Sequence, residues 1–265
     1  VPILEAWLLG ILFVGALTAA SIGGLLLVRR RASLEILEQH NEIAGFIYAI
    51  VGVLYAVLLG FSAIIVWEQY VDAQSRVEQE ANQVADLYRD ARALPPDLRK
   101  QIETQLRAYA RTVVEKEWPA MAERRASLEA WEAYNRLWRT YQGFKPRDAY
   151  ENAWYQESLR QLNELGDHRR LRLLSNRSEV PGVIWVALLG GGAVTIAFSY
   201  LFGAKHTWAQ AVMIAGLGIM IALVLLSIFA LQHPFSGLSR IAPDAFHQTI
   251  EIIDQWSHPR TGEGR

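Results

Sequence analysis

Residues 44–66 read AGFIYAIVGVLYAVLLGFSAIIV, a stretch without a charged side chain. A bilayer core about 30 Å thick is crossed by roughly 20 apolar residues in helical form. Backbone polar groups in lipid must satisfy one another, and a helix lets them do so within one segment. The stretch therefore predicts a membrane-spanning helix, and its neighbours decide how many more there are.

Three further blocks share this composition: 6–28, 183–203 and 208–231. Trp7, Trp67, Trp185 and Trp208 stand near block ends, where an indole ring favours the lipid–water boundary. The first block has no basic residue before it and is longer than a signal-peptide core, so it reads as an anchor. At 52% hydrophobic residues the chain as a whole is close to an ordinary soluble domain, and it is the segregation of charge outside the four blocks that sets it apart. The expected fold is all-α: an integral membrane protein with four transmembrane helices and an extramembrane helical domain between helices 2 and 3. The expected divisions are 1–66 (helices 1 and 2 with a short basic loop), 67–182 (the helical domain), 183–231 (helices 3 and 4) and 232–265 (a C-terminal tail). Its place is the lipid bilayer of the cell (inner) membrane, as a multi-pass protein.

Charge gives two opposed indications of orientation. Arg29, Arg30 and Arg31 follow the first block and Lys205 lies between the last two, which by the positive-inside rule puts those loops in the cytoplasm. Arg169, Arg170, Arg172 and Arg177 approach the third block from the other side and favour the reverse. Both orientations stay open.

Residues 67–182 carry 19 Lys and Arg against 19 Asp and Glu, a balance that describes a solvated surface and not a nucleic-acid groove. The segment punctuates itself into helices. The second span has no breaker at its end, so its helix is expected to continue to Ala93, where Leu94-Pro95-Pro96 stops it. Asp97 is expected to cap the next helix, which carries Ile102, Leu106, Tyr109, Val113 and Val114 at spacings of three and four. Trp118-Pro119 is expected to close it. Ser127 can cap a third helix bearing Trp131, Tyr134, Leu137, Trp138 and Tyr141, ended by Gly143 and Pro146. A fourth carries Tyr150, Trp154, Leu159, Leu162 and Leu165. The apolar and aromatic residues are expected to form a shared core.

The second span presents three faces. Gly45, Ala49, Gly52, Ala56, Gly60 and Ala63 form a small stripe, which lets helix backbones approach closely in lipid. Asn41, Tyr48, Tyr55, Ser62 and Gln69 recur every seven residues and stay on one seam when helices wrap around each other. Such polar residues either hydrogen-bond between helices or line water. Val53, Val57 and Phe61 form a third, apolar stripe. Glu42 and Glu68 bracket the span, and in a symmetric oligomer each would form an acidic ring that attracts cations.

Leu59-Gly60-Phe61, followed by Val66-Trp67-Glu68-Gln69-Tyr70, resembles the pore helix of bestrophins, which has a similar Leu-Gly-Phe and then Trp-Asn-Gln-Tyr. His233-Pro234-Phe235-Ser236-Gly237 is similar to the Asn-Pro-Phe-Gly that follows the last bestrophin span. The whole chain more closely resembles the bacterial bestrophin-like family of unknown function, through Asn41-Glu42, the stretch 55–61, Trp67-Glu68-Gln69-Tyr70, Glu117-Trp118-Pro119 and Pro234-Phe235. Bestrophins are homopentameric anion channels, so the resemblance implies an oligomeric ion channel. The second span would line the pore, Val53, Val57 and Phe61 would form an apolar neck, and Asn41, Glu42 and Glu68 would stand at the mouths. It also places the large domain in the cytoplasm.

Two departures accompany the resemblance. The stretch 236–244 has Asp244 as its one carboxylate, whereas calcium takes about six to eight oxygen ligands, so a calcium clasp is not supported. Glu68 replaces an Asn at the cytoplasmic mouth and, with Glu42, leaves the permeant inorganic ion open between anion and cation.

The alternative is a membrane-anchored sensor or scaffold whose helical domain binds a partner. An enzyme is not expected. The histidines, 40, 168, 206, 233, 247 and 258, show no metal-binding spacing, no phosphate loop or nucleophile motif appears, and His233 beside Pro234 reads as a turn or hinge residue. Cysteine is absent, which excludes disulfides, thiolate metal sites and cysteine nucleophiles. No cofactor is implied.

Overall fold

The computed structural model describes residues 3–39, 41–177 and 179–257. His40 and His258 lie outside these, as do residues 259–265 of the expected tail. Among the described residues every regular element is helical. These are α1 (Ile3–Arg31), α2 (Leu34–Gln39), α3 (Asn41–Asp90), α4 (Pro96–Thr112), α5 (Trp118–Ala122), α6 (Leu128–Gln142), α7 (Ala149–Ser175), α8 (Gly182–Ser199), α9 (Thr207–Leu231) and α10 (Asp244–Ser257). Helices α1, α3, α8 and α9 are long and apolar enough to cross a membrane. The chain divides into two compact units, one of Val1–Tyr70, Glu179–His233 and Gly237–Ser239, the other of Val71–Ser178, Pro234–Ser236 and Arg240–Arg265.

In the first unit α1 packs along α9, and α8 packs on both. Small residues allow the approach: a Cβ on Gly218 of α9 would lie 3.0 Å from the Ser21 hydroxyl of α1. Tyr55 and Val66 of α3, Leu188 and Ile196 of α8, and Ile221, Leu225 and Ile228 of α9 form one buried cluster. Arg29, at the end of α1, is engaged: its guanidinium donates to the Ala204 carbonyl and, at 2.8 and 3.1 Å, to Gln210. The short stretch after α1 contains α2.

The third span ends earlier than its apolar sequence predicts, at Ser199 and not at residue 203. Tyr200 and Leu201 donate to the carbonyls of Ala197 and Phe198, closing the helix in a tightened last turn. Gly203 is then held by Asn41, which donates to its carbonyl at 3.0 Å and accepts from its N–H at 2.8 Å.

In the second unit the later part of α3 buries Ala73, Val77, Ala81, Val84, Leu87 and Tyr88, a helical stripe at spacings of three and four. The helix tightens to a 3-10 turn over Ala91–Ala93, and Leu94 is extended before the two prolines. Asp97 does not cap α4. Pro95 takes the cap position and Pro96 the first turn, where a missing N–H costs nothing, so Asp97 falls inside the helix, near its positive end. Nor does Trp118-Pro119 end the helical run. A wide π turn, Val113–Glu117, absorbs the change of register, and Pro119 falls at the start of α5, where proline is tolerated.

Ser127 caps α6 by accepting from the Ala130 N–H at 3.2 Å. Ile102, Leu106, Tyr109, Val113, Tyr134, Leu137, Tyr141, Leu162 and Leu165 are buried, whereas Trp131 and Tyr150 are exposed, because they lie on the outer faces of α6 and α7. The C-terminal stretch adds α10, which packs on α4. It buries Phe246, Thr249 and Ile253 and bonds the Thr249 hydroxyl to the Ala81 carbonyl at 3.1 Å.

Candidate pore helix

Tyr55 sets the orientation of α3. It is 6% exposed, and its hydroxyl donates to the Leu188 carbonyl of α8 at 3.0 Å. Its side chain occupies space that side chains at Gly191 and Gly192 would fill: a Cβ at Gly191 would come within 2.6 Å of the ring, and one at Gly192 within 2.8 Å of the hydroxyl oxygen. The same face of α3 carries Tyr48, edge-on to Phe202 at 5.4 Å, and buried Ser62. Three members of the seven-residue polar stripe are thus packed within the chain, as is Asn41 through its two bonds to Gly203. Gln69 is exposed.

An α-helix turns about 100° per residue, so residues two away from Tyr55 lie nearly opposite it. Val53 and Val57 are those residues, and Phe61 lies about 60° off the opposite line. They are 63%, 50% and 65% exposed. Phe46, Ile50 and Ile64 continue this apolar face, all exposed. Glu42 and Glu68 stand thirteen residues before and after Tyr55, each within about 40° of the same line. Both are exposed. About 39 Å of helix separates them, close to the thickness of a bilayer with its interfaces. Trp67 and Tyr70 stack at 6.2 Å beside Glu68.

The motif after α9 falls into two settings. His233 has Nδ1 2.9 Å from the Phe229 carbonyl oxygen and its ring 4.8 Å from that of Phe229. Phe235 is buried and meets Trp118 edge-on at 5.8 Å, while the Trp118 indole donates to the Ile241 carbonyl at 3.1 Å and Ile241 donates to the Pro234 carbonyl at 2.7 Å. Glu117-Trp118-Pro119 and Pro234-Phe235 are therefore one packing site. Gly237 follows with a φ of +76°, a conformation that favours glycine.

Sequence patterns did not reveal a buried ion cluster beside that site. Arg172 of α7 is fully buried and bonds Glu80 of α3 at 2.6 and 3.0 Å and Glu117 at 2.6 Å. Arg169 bonds Glu117 at 2.5 Å, and the Tyr109 hydroxyl donates to Glu80 at 2.6 Å. The guanidinium of Arg172 also lies 5.3 Å from the Trp118 ring. Burial would raise the Glu117 carboxyl, but Arg172 and Arg169 outweigh it and hold the group below its ordinary range. Burial would likewise favour a neutral Arg172, and Glu80 and Glu117 keep it charged. Tyr109 is pushed up, first by burial and then by Glu80. Two carboxylates and two guanidiniums balance, and each finds a hydrogen-bonded partner, so the cluster fixes packing.

The fold defines a polytopic α-helical membrane protein with one face of its longest helix left uncovered. The model of the bestrophin-like domain matches residues 15–246, and the chain belongs to the bestrophin-like family. A crystal structure described as that of a membrane protein is similar over 93% of this chain and 99% of its own, with a TM-score of 0.66 and 15% identity, which is a likeness of fold. No curated protein sequence matches.

Proposed function

We propose that the protein is a subunit of a bestrophin-like ion channel in which copies of α3 surround a pore and Val53, Val57 and Phe61 form an apolar neck. The observation that carries this reading is the face of α3 opposite Tyr55: apolar, uncovered within the chain, and ended on both sides by a carboxylate. The packed seam of Asn41, Tyr48, Tyr55 and Ser62 would hold the helix at a fixed rotation against α8, so that this face meets the axis. Rings of apolar side chains gate by excluding water, and the rings formed by Glu42 and Glu68 would concentrate cations at the two mouths. A closed ring of subunits is required, since one copy cannot enclose an axis, and the family suggests a pentamer. The evenly charged helices of residues 67–182 fit an extramembrane domain, and the membrane is taken to be the cell's inner one.

Purified protein reconstituted in liposomes tests this. Under separate K⁺ and Cl⁻ gradients it should pass at least one ion, and Val57→Ala or Phe61→Ala should raise the flux by widening the neck and weakening the apolar barrier. An assembled oligomer that passes neither ion would favour a membrane-anchored scaffold.

A further inference from the structure

A second charged feature lies in the other unit. The turn after α5 and the end of α7 enclose a recess of about 250 Å³ lined by Arg124, Arg125, Arg170, Arg177, Leu173 and Leu174. Its geometry is built. Arg124 and Arg125 donate their backbone N–H groups to the carbonyls of Met121 and Ala120 at 2.9 Å, and the side chain of buried Asn176 donates to the Met121 carbonyl at 3.1 Å. Arg124 has a φ of 59°, the left-handed conformation that glycine fills most easily, yet a long cationic side chain stands there. Arg125 and Arg170 pair with Glu123 and Asp167, but every one of these side chains is more than half exposed, and exposed pairs are weak enough for a phosphate to compete. Leu174 offers an exposed apolar surface beside the charges.

Chain connectivity supplies the partner. Arg177 precedes Gly182, the first residue of the membrane-crossing helix α8, by five residues, a reach of at most about 18 Å. Basic groups that close to a membrane-entering helix attract anionic headgroups, and the planar guanidinium fork matches phosphate oxygens. We propose that the recess binds the phosphate of an anionic phospholipid through Arg124, Arg125, Arg170 and Arg177, with the acyl chains leaving past Leu174. This site is independent of the pore reading and requires only that α8 cross the bilayer.

The test uses the full chain purified in neutral detergent, with phosphatidylglycerol titrated in and retained lipid counted by native mass spectrometry. Arg124→Gly and Arg177→Gln are suitable variants, since both positions are exposed and glycine suits the backbone at 124; circular dichroism checks that each still folds. At about fivefold per arginine, each variant should weaken retention about fivefold and the double variant about 25-fold. Phosphatidylcholine should be retained far less than phosphatidylglycerol, and millimolar inorganic phosphate should not displace the lipid. Unchanged retention in the folded double variant, or equal retention of phosphatidylcholine, would overturn the proposal. Displacement by inorganic phosphate would overturn the lipid as the ligand.

Discussion

At the scale of single residues, the buried cluster around Arg172 illustrates how non-local contacts give a charge its role. In the sequence, Arg169 and Arg172 are two cations in a basic run before the third apolar block. In the structure they are internal, and the partners of Arg172 lie 92 and 55 positions away. No local spacing encodes such a pairing, and for that reason the sequence pattern did not reveal it. Removing one member leaves its partner buried and unpaired, so Glu117→Gln should lower stability at neutral pH by about 3–5 kcal/mol, read as a fall in melting temperature. Because the folded protein holds the Glu117 carboxyl below its ordinary range, its contribution is complete above the unfolded value of about 4.3 and is lost as pH falls through the folded one. The wild type should therefore lose stability on acidification below about pH 4 more steeply than Glu117→Gln. Equal slopes would show that Glu117 is not held in this way.

At the scale of elements, the crossing of α3 and α8 depends on an aromatic ring fitted against a glycine pair. The seven-residue recurrence of Tyr48, Tyr55 and Ser62 was legible as a seam, because a period of seven marks one helix face. The partner was not, because Gly190-Gly191-Gly192 in an apolar block looks like any run of small residues. Gly192→Ala would place a methyl group against the Tyr55 hydroxyl and should cost about 1–3 kcal/mol through overpacking. Tyr55→Phe, which removes one hydrogen bond, should cost about 1 kcal/mol. Both are readable by thermal unfolding in detergent, and a neutral Gly192→Ala would show that the helices sit further apart. Elsewhere the sequence misleads for a physical reason. Trp118-Pro119 looks like a stop, yet a π turn lets the helical run continue, and only then can Trp118 meet Phe235 and Phe246. Phe246 is fully buried in α10, a helix that the sequence suggested only as part of a tail. Phe246→Ala should cost about 3–5 kcal/mol, and a loss below about 1 kcal/mol would show that α10 does not belong to this core.

At the scale of the whole molecule, composition made the membrane architecture plain, since four uncharged blocks leave the backbone few alternatives in lipid. Family membership was likewise legible in short motifs such as Trp67-Glu68-Gln69-Tyr70. Which face of α3 the chain covers was legible only as competing stripes, because periodicity separates faces without saying what each one meets. Packing of Tyr55 on α8 turns Val53, Val57 and Phe61 away from the rest of the chain, and a channel follows if copies of that face meet around an axis. The lack of cysteine in the sequence allows a direct test. Val57→Cys protein would be reconstituted in liposomes and ion flux followed before and after a charged, membrane-impermeant thiol reagent, with Met213→Cys, exposed on α9, as control. A pore lined by α3 predicts that the reagent changes flux at position 57 and leaves the control unaltered; flux that is indifferent to modification at Val57, with the thiol accessible to lipid-soluble reagents alone, would contradict it.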